Sequence, residues 1–374
     1  MALESRTEQE AAKSASPVAA EPTRSGSGRI AVLVDEIAEL EAVGGERIAP
    51  AQSTLRIIAA LETLGYQPVE MMLRPGKTDE WLAGLLRGGF RAAFNLCETL
   101  AGRADGEHLT AAAVELLELP MTGASAATLL YCLNKDRCSA VLRAHGIRVP
   151  EWRLVRRADP SPEDWTHFPA IIKPAADDAS NGIHAKSVVH SQAELAAELK
   201  RLHERWDAVV QEFIAGREIN LAIVGRFVLP PAEIDFSTLP DEFPPIVSFE
   251  AKWATDSPEF VGTRPVCPAP LSPEQARDLQ QLAVRAWRLM DGHGYARVDV
   301  RLGDDGVPYV IDINPNPDLS YDAGLARQAR VAGWSYDELI GRVMDDALAR
   351  PERDGNPPRG WTLLAAQTAA GAIS

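Results

Sequence analysis

The stretch Tyr295-Ala-Arg-Val-Asp-Val-Arg-Leu-Gly-Asp-Asp-Gly-Val-Pro-Tyr-Val-Ile-Asp-Ile-Asn-Pro-Asn-Pro317 decides the fold. Ala296, Val298, Val300 and Leu302 alternate with Arg297, Asp299 and Arg301, the period of a strand with one face buried. Asp304-Asp305-Gly306 has turn chemistry, since Gly accepts a positive φ. In the return strand Val310, Asp312 and Asn314 are spaced two apart and so share one face. Folded antiparallel, the hairpin brings Asp299 opposite Asp312 and Asn314. Two carboxylates and an amide oxygen make a hard-oxygen group suited to Mg²⁺, which keeps several waters and takes further ligands from phosphates. Taken alone, the same residues equally describe an exposed acidic hairpin, solvated and paired with Arg297 and Arg301. The rest of the chain decides between the two.

With 374 residues the chain can bury a large core, and its length suggests about two or three domains. Hydrophobic residues at 46% and charged residues at 24% are the proportions of a soluble globular protein. A net charge of −15 argues against a nucleic-acid partner, which needs concentrated Lys and Arg, but leaves room for a local basic pocket. Cys97, Cys132, Cys138 and Cys267 are widely spaced without a CxxC pair, so neither a zinc site nor a disulfide framework is indicated. A reduced cytoplasm is the simplest home. No apolar run reaches the length of a membrane span, and no membrane partner is expected.

In chain order, residues 1–28 are Ala-, Ser-, Glu- and Thr-rich and read as a disordered tail. Residues 29–125 read as an N-terminal α/β domain: strands near 29–34, 67–73 and 91–96 alternate with helices near 51–64 and 78–87, which means a parallel sheet flanked by helices. Its first strand–helix junction lacks GxGxxG, so a Rossmann cofactor is not expected. After a helix at 107–117, residues 126–207 open with one helix, 126–145, carrying Lys135. The strand Phe168–Pro174 places Lys173 at its end, before a small polar loop containing Ser180 and Gly182. That loop has a hydroxyl, a flexible Gly and free backbone N–H groups, which is what covering a phosphate requires, though a generic turn fits as well. The strand then resumes over 183–189, and a helix over 191–205 follows with Ser191 as its cap.

The third unit, 208–350, contains strands at 208–214 and 219–224, then a Pro-rich, irregular stretch over 226–270 that includes Lys252-Trp253. Ser272-Pro-Glu-Gln275 opens the best helix of the chain, with Ser as cap, Pro at N1 and Gln at N3. The hairpin follows, then a helix at 335–349, and residues 351–374 read as a C-terminal tail.

Taken in order, these pieces resemble the ATP-grasp superfamily, and within it the D-alanine–D-alanine ligase-like branch, over roughly residues 90–350. The resemblance implies an ATP-grasp fold: an N-terminal parallel α/β domain like that of biotin carboxylase, and two ATP-grasp subdomains, 126–207 and 208–350, clasping the nucleotide. It implies ATP and Mg²⁺, or Mn²⁺ in its place. Lys135 and Lys173 look like the nucleotide-phosphate lysines, and Ser180 and Gly182 like the phosphate-covering loop. Gln211, Glu212, Phe213 and Ile214 look like the strand whose backbone reads adenine, and Glu218 like the ribose carboxylate. Lys252 matches the lysine of the loop closing over the γ-phosphate, and Arg297 the arginine that stabilises the oxyanion. Asp299, Asp312 and Asn314 match the magnesium ligands, with Asp312 where the family usually has Glu. The implied activity is an ATP-dependent carboxylate–amine ligation through an acyl phosphate, acting on small amino-acid or peptide substrates and releasing ADP and phosphate. Dimers are common in the branch, so a homodimer is implied too.

The departures fall on the amino-acid half. The segment after the first strand is Asp35-Glu-Ile-Ala-Glu39 instead of a Gly-rich run with Ser and Glu. Ala179 replaces the first serine of the phosphate loop, and Lys252-Trp253 replaces Lys-Tyr, removing the Ser–Tyr contact between loops. The terminal motif runs Asn314-Pro-Asn-Pro-Asp318 where the branch ends in Gly, and Asn95-Leu-Cys97 replaces the acceptor-side His-Gly. The reading is therefore a ligase for a pair other than D-Ala plus D-Ala, since unpaired buried polar groups select against the old substrate. A divergent D-alanine–D-alanine ligase, a non-catalytic nucleotide-binding protein and an enzyme modifying a protein or peptide terminus are the rivals.

Overall fold

The computed structural model describes residues 27–38, 51–159, 161–178, 180–350 and 360–367. The expectations for residues 1–26, 351–359 and 368–374, and those for Glu39 and Ala179, lie outside the described residues.

The N-terminal part alternates β1 (Arg29–Asp35), α1 (Gln52–Thr63), β2 (Gln67–Leu73), α2 (Thr78–Arg87) and β3 (Phe90–Asn95), with α3 (Glu107–Leu116) after it. The three strands form a parallel sheet in the order β2-β1-β3. Ile30 to Val34 are all buried, as expected of a parallel strand covered on both sides. Ala31 and Leu33 pack with Trp81, Leu85, Ala111 and Val114, while Ile30, Val32 and Val34 pack with Ile57 and Leu61.

The single helix expected over 126–145 is two helices, α4 (Ala126–Leu133) and α5 (Lys135–Ala144). Asn134 breaks it at φ −84°, ψ 88°. Its side-chain amide donates to the Leu130 carbonyl at 2.7 Å, competing with the helical ladder. The Lys135 N–H leaves the helix direction to reach the carbonyl of Ala175 at 3.1 Å. Lys135 thus starts a helix beside the loop after the next sheet's central strand.

That sheet joins β4 (Trp152–Val155), β5 (Ala170–Pro174), β6 (Val188–Val189) and β7 (Ala208–Glu212), with α6 (Gln192–Leu202) between the last two. Its order is β4-β7-β5-β6, all antiparallel, and Leu195, Leu199 and Leu202 of α6 cover one face. The strand expected over 183–189 is only Val188–Val189. Ser180 and Gly182 have positive φ, and a short 3₁₀ turn at Ala185–Ser187 takes up the rest.

The third sheet is built on β8 (Gly216–Val224), β9 (Phe227–Val228) and β10 (Ala232–Asp235). The helices α7 (Phe249–Trp253) and α8 (Pro258–Gly262) precede β11 (Arg264–Val266), so the stretch expected to be irregular carries five short elements. Next come α9 (Pro273–Leu289), β12 (Tyr295–Gly303), β13 (Pro308–Asn314), α10 (Gly324–Val331), α11 (Tyr336–Ala349) and β14 (Thr362–Leu363). The capping box of α9 forms as read: Ser272 takes the Gln275 N–H, and Gln275 returns a bond to the Ser272 N–H. The sheet order is β11-β10-β8-β12-β13, with β9 on β8 and β14 parallel to β9. Residues 360–367, read from sequence as tail, therefore supply a strand to this sheet. Ala296, Val298 and Val300 pack against Leu279, Ala283 and Trp287 of α9, which turns Arg297, Asp299 and Arg301 to the opposite face.

Candidate active site

The two antiparallel sheets face each other across a cleft, and side chains from both line it. From the hairpin come Arg297, Asp299, Arg301, Ile311, Asp312 and Asn314. Asp299 pairs directly with Asp312 across the ladder, and Asn314 pairs with Arg297 instead of Asp299. A bulge departs from the reading that Val310 shares the face of Asp312. Val300 pairs with Val310, so Ile311 has no cross-strand partner and the alternation slips by one residue. Val310 and Ile313 enter the core while Ile311 and Asp312 both face the cleft.

The lysines converge on that bulge. Lys135, 6% exposed, lies 3.0 Å from Asp178 and 3.4 Å from Asp312. Burial works against its charge, yet the two carboxylates prevail and its pKa is raised. Lys173, equally buried, donates to the Ile311 carbonyl at 3.2 Å. Burial drives its pKa down to about 8; Asp312 opposes this and Lys135 adds to it. Burial alone would raise Asp312, but Lys135, Lys173 and Arg297 hold it below the ordinary carboxylate value.

Arg297 grips Asp299 through Nε and Nη2, at 2.7 and 2.8 Å, and Asn220 donates to Asp299 at 2.8 Å. Asn314 accepts the Asn316 N–H at 2.9 Å, which orients its amide. Asn316 is anchored in turn by Tyr295, Glu107 and the Cys97 carbonyl, tying the end of the hairpin to the N-terminal sheet. Among the described residues no three His, Cys, Asp or Glu side chains are grouped to hold a metal. The hairpin offers two carboxylates and one amide, an all-oxygen set whose chemistry fits a hard divalent cation.

At the other end Gln211, Glu212, Phe213 and Ile214 line the cleft where β7 ends. Backbone N–H groups of Glu212 and Phe213 bond to Glu151 and Pro169 carbonyls at 2.8 and 2.9 Å, fixing this exit. Glu218 lies beside it, 3.2 Å from Arg301. Burial raises the Glu218 pKa while Arg301 resists.

Ser180 lines the cleft and donates to the Val247 carbonyl at 2.9 Å, and the Phe249 N–H reaches the Ile183 carbonyl at 2.8 Å. The Ser180 loop and the 240s segment are thus linked through backbone carbonyls, without the side-chain pair missing from the sequence. Gly182 does not line the cleft. It packs behind the loop at φ +72°, where a Cβ would lie 3.1 Å from Pro174 and 3.2 Å from Leu202. Lys252 on α7 lines the cleft, with its ammonium over Trp253 at 5.1 Å. Surrounding protein and the charge of Arg297 lower its pKa. His293 does not line the cleft and bonds to Arg350 at 2.9 Å.

Sequence reasoning missed Asp178, Asn220 and Arg301. Asp178 stands beside Asp177 in the polar loop that contains Ser180, but only the Asn134 break shows it facing Lys135. Arg301 enters the sequence reading only as a partner in the exposed-hairpin alternative, although its place two residues from Asp299 puts it on the cleft face.

Two sheets clasping a cleft of this chemistry define an ATP-grasp enzyme, and solved structures carry the same fold. The structure titled D-alanine–D-alanine ligase from Bacillus anthracis complexed with ATP superposes with TM-score 0.70 at 22% identity, covering 87% of this chain and 99% of that one. That of the Coxiella burnetii ligase gives TM-score 0.65 at 19% identity, covering 87% and 95%. The family described as D-ala D-ala ligase C-terminus matches residues 141–345. Among curated relatives, y4sG of Sinorhizobium fredii, itself uncharacterised, is 33% identical over 266 residues, 69% of this chain and 74% of its own length. The D-alanine–D-alanine ligase of Mannheimia succiniciproducens is 25% identical over 326 residues, 85% of this chain and 97% of its own length. The chain belongs to the D-ala D-ala ligase C-terminus family and is an ADP-forming ligase of the ATP-grasp type. No helix among the described residues is long and apolar enough to cross a membrane.

Proposed function

We propose that the protein joins the carboxylate of one small amino-acid-like substrate to the amine of another, through an acyl phosphate. The observation that carries this reading is the charge layout of the cleft: Lys135, Lys173, Lys252 and Arg297 all line it, opposite the carboxylates of Asp299 and Asp312. A substrate carboxylate oxygen attacks the γ-phosphorus of ATP, and the bond to the bridging oxygen breaks to release ADP. The amine nitrogen of the second substrate then attacks the acyl carbon and sheds a proton. Collapse of the tetrahedral intermediate breaks the bond to the phosphate oxygen and leaves an amide.

Lys135 and Lys173 balance the polyphosphate, Lys252 and Ser180 meet its terminal group, and Arg297 faces the oxyanion. Most of the catalysis is then positioning and electrostatics. Gln211 to Ile214 receive adenine, and Glu218 takes the ribose hydroxyls. Gly182 keeps the phosphate loop in shape from behind. Asp299, Asp312 and Asn314 would hold Mg²⁺, which supplies neutralisation of phosphate charge when bound.

The same reading holds D-Ala plus D-Ala to be the wrong pair. Asp318 stands as an acid where the branch has Gly, and Ser320 bonds to it through both its N–H and its hydroxyl, at 2.7 and 2.6 Å. The deciding experiment is ADP release with Mg-ATP against single and paired amino acids, D-Ala included, with products read by mass spectrometry. Release with a pair other than D-Ala confirms the ligase and names its substrates. A dipeptide from D-Ala alone overturns the substrate reading. ATP binding without turnover on any pair overturns the small-molecule reading in favour of a protein-modifying or non-catalytic role.

A further inference from the structure

We propose that Arg301 sets selectivity for the nucleotide sugar, by holding Glu218 and the segment that crosses the cleft in one bracket. The inference rests on the reading of Glu218 as the ribose-binding carboxylate. Arg301 on β12 stands directly opposite Glu218 on β8 in the antiparallel ladder. Its guanidinium lies 3.2 Å from the Glu218 carboxylate, and the two residues are 3% and 8% exposed. Nη1 donates to the Gly216 carbonyl at 3.0 Å, and Nη2, the nitrogen closest to Glu218, also donates to the carbonyl of Pro245. The planar group also sits over two rings, 5.2 Å from Phe213 and 5.6 Å from Phe236.

Apart from Glu218 and Gly216, which share β8, these contacts belong to different walls of the nucleotide end. Phe213 is in the β7 exit assigned to the base, and Gly216 begins β8. Pro245 precedes Ile246 and Val247, which line the cleft from the crossing segment. A guanidinium is planar, permanently charged and able to serve several acceptors at once, so one side chain can fix two backbone carbonyls, an acid and two rings together. Without it Glu218 is a buried carboxylate facing no cation on its own ladder rung. Burial already favours its protonated form, and Arg301 is the nearest opposing charge. Protonated or rotated, Glu218 no longer presents two acceptor oxygens to a pair of hydroxyls.

The test is binding of Mg-ATP, 2′-deoxy-ATP and 3′-deoxy-ATP by wild type, R301M and R301K, measured by calorimetry, with folding checked by thermal melting. A hydrogen bond to a buried charged group predicts that wild type favours ATP over at least one deoxy analogue by about tenfold or more. In R301M the affinity for ATP falls toward that of the deoxy analogues, and the ratio approaches one. R301K, which keeps the charge without the fork, gives an intermediate ratio and covers the case in which the Met variant does not fold. A folded R301M that keeps the wild-type ratio overturns the proposal alone. Wild type that binds no ATP, or binds all three equally, overturns it together with the assignment of Glu218.

Discussion

The Lys173 ammonium donates to the carbonyl of Ile311 across 3.2 Å, and Ile311 is the residue that the β13 bulge leaves without a cross-strand partner. The bulge thus supplies an acceptor for a buried cation whose pKa burial has driven from 10.5 to about 8.

A pH dependence of opposite sign for binding and for stability follows from that value. Above about pH 8 the nucleotide-free protein loses the Lys173 charge, so ATP affinity falls as pH rises through this range. The unfolded chain still holds the proton up to about 10.4, so between the two values it binds more protons than the folded one. The Lys173 contribution to stability therefore grows with pH over the same window in which binding weakens. Calorimetric affinities and melting temperatures at pH 7, 8 and 9 check both signs. In Lys173→Arg the binding curve flattens. A wild-type affinity that does not change between pH 7 and 9 would sink the assignment of Lys173 to the phosphates.

Asp312→Asn probes the acid that Lys135 and the cation site share. Lys135 keeps Asp178 at 3.0 Å, so the fold survives the change. The hairpin loses one of its two carboxylates, and a metal contribution of several kcal/mol makes the expected loss in ADP release about 10²–10³-fold. The Mg²⁺ concentration for half-maximal rate rises in parallel. Unchanged Mg²⁺ dependence would remove Asp312 from the metal set.

Arg297→Met removes the donor proposed for the oxyanion while leaving the phosphate lysines in place. Loss of one such donor costs about 10²–10³-fold in turnover. The same variant frees Asp299, which Arg297 now holds at 2.7 and 2.8 Å, so ATP affinity changes far less than kcat. Equal losses in both would assign Arg297 to ground-state binding.

The hairpin was legible because Ala296, Val298 and Val300 bury one face, and burial of a strand is written in its alternation. The bulge was not, since one extra residue changes no composition and its position is set by packing on both sides. Lys135 was placed on a helix face, and its true setting depends on Asn134 and on the Ala175 carbonyl, 41 residues apart in the chain and brought together only by the fold. β1 showed as a continuous apolar run, whereas β14, two residues docked on β9, carries no pattern long enough to read. Arg301 shows the limit most clearly. Periodicity gave its face, but whether a charge on that face meets water or Glu218 is a tertiary fact.

Gly182→Ala tests the loop from behind. At φ +72° any side chain is strained, and the new methyl would meet Pro174, Leu202 and Trp206 at 3.1, 3.2 and 3.3 Å. A cost of about 1–3 kcal/mol is expected from the backbone conformation alone. Chemical denaturation reads that cost directly, and ATP affinity falls with it because Ser180 moves on the same loop. A variant as stable as wild type would show that the loop tolerates another path.

Asp318→Asn separates charge from shape on the acceptor side. The Asn side chain can still accept from the Ser320 N–H and hydroxyl, which now lie 2.7 and 2.6 Å from Asp318, so the turn is kept and only the negative charge is lost. That charge is felt nearby: the surrounding protein first, and Asp318 second, push the pKa of solvent-exposed Glu98 up to about 7, while Lys252 pulls it back. Two acids acting together, one of them titrating near neutrality, repel an acceptor with a free carboxylate and favour one that carries a cation or a blocked acid. With the charge removed, Glu98 titrates lower, and the acceptor KM of a carboxylate-bearing amine falls relative to that of its amide. KM ratios for amino acid and amino-acid amide, measured at pH 6 and pH 8 in both proteins, decide it. The wild-type preference for the amide sharpens from pH 6 to pH 8 as Glu98 ionises, and the variant shows a smaller ratio at both. A ratio unaltered by the substitution would mean that Asp318 shapes the turn and takes no part in choosing the acceptor.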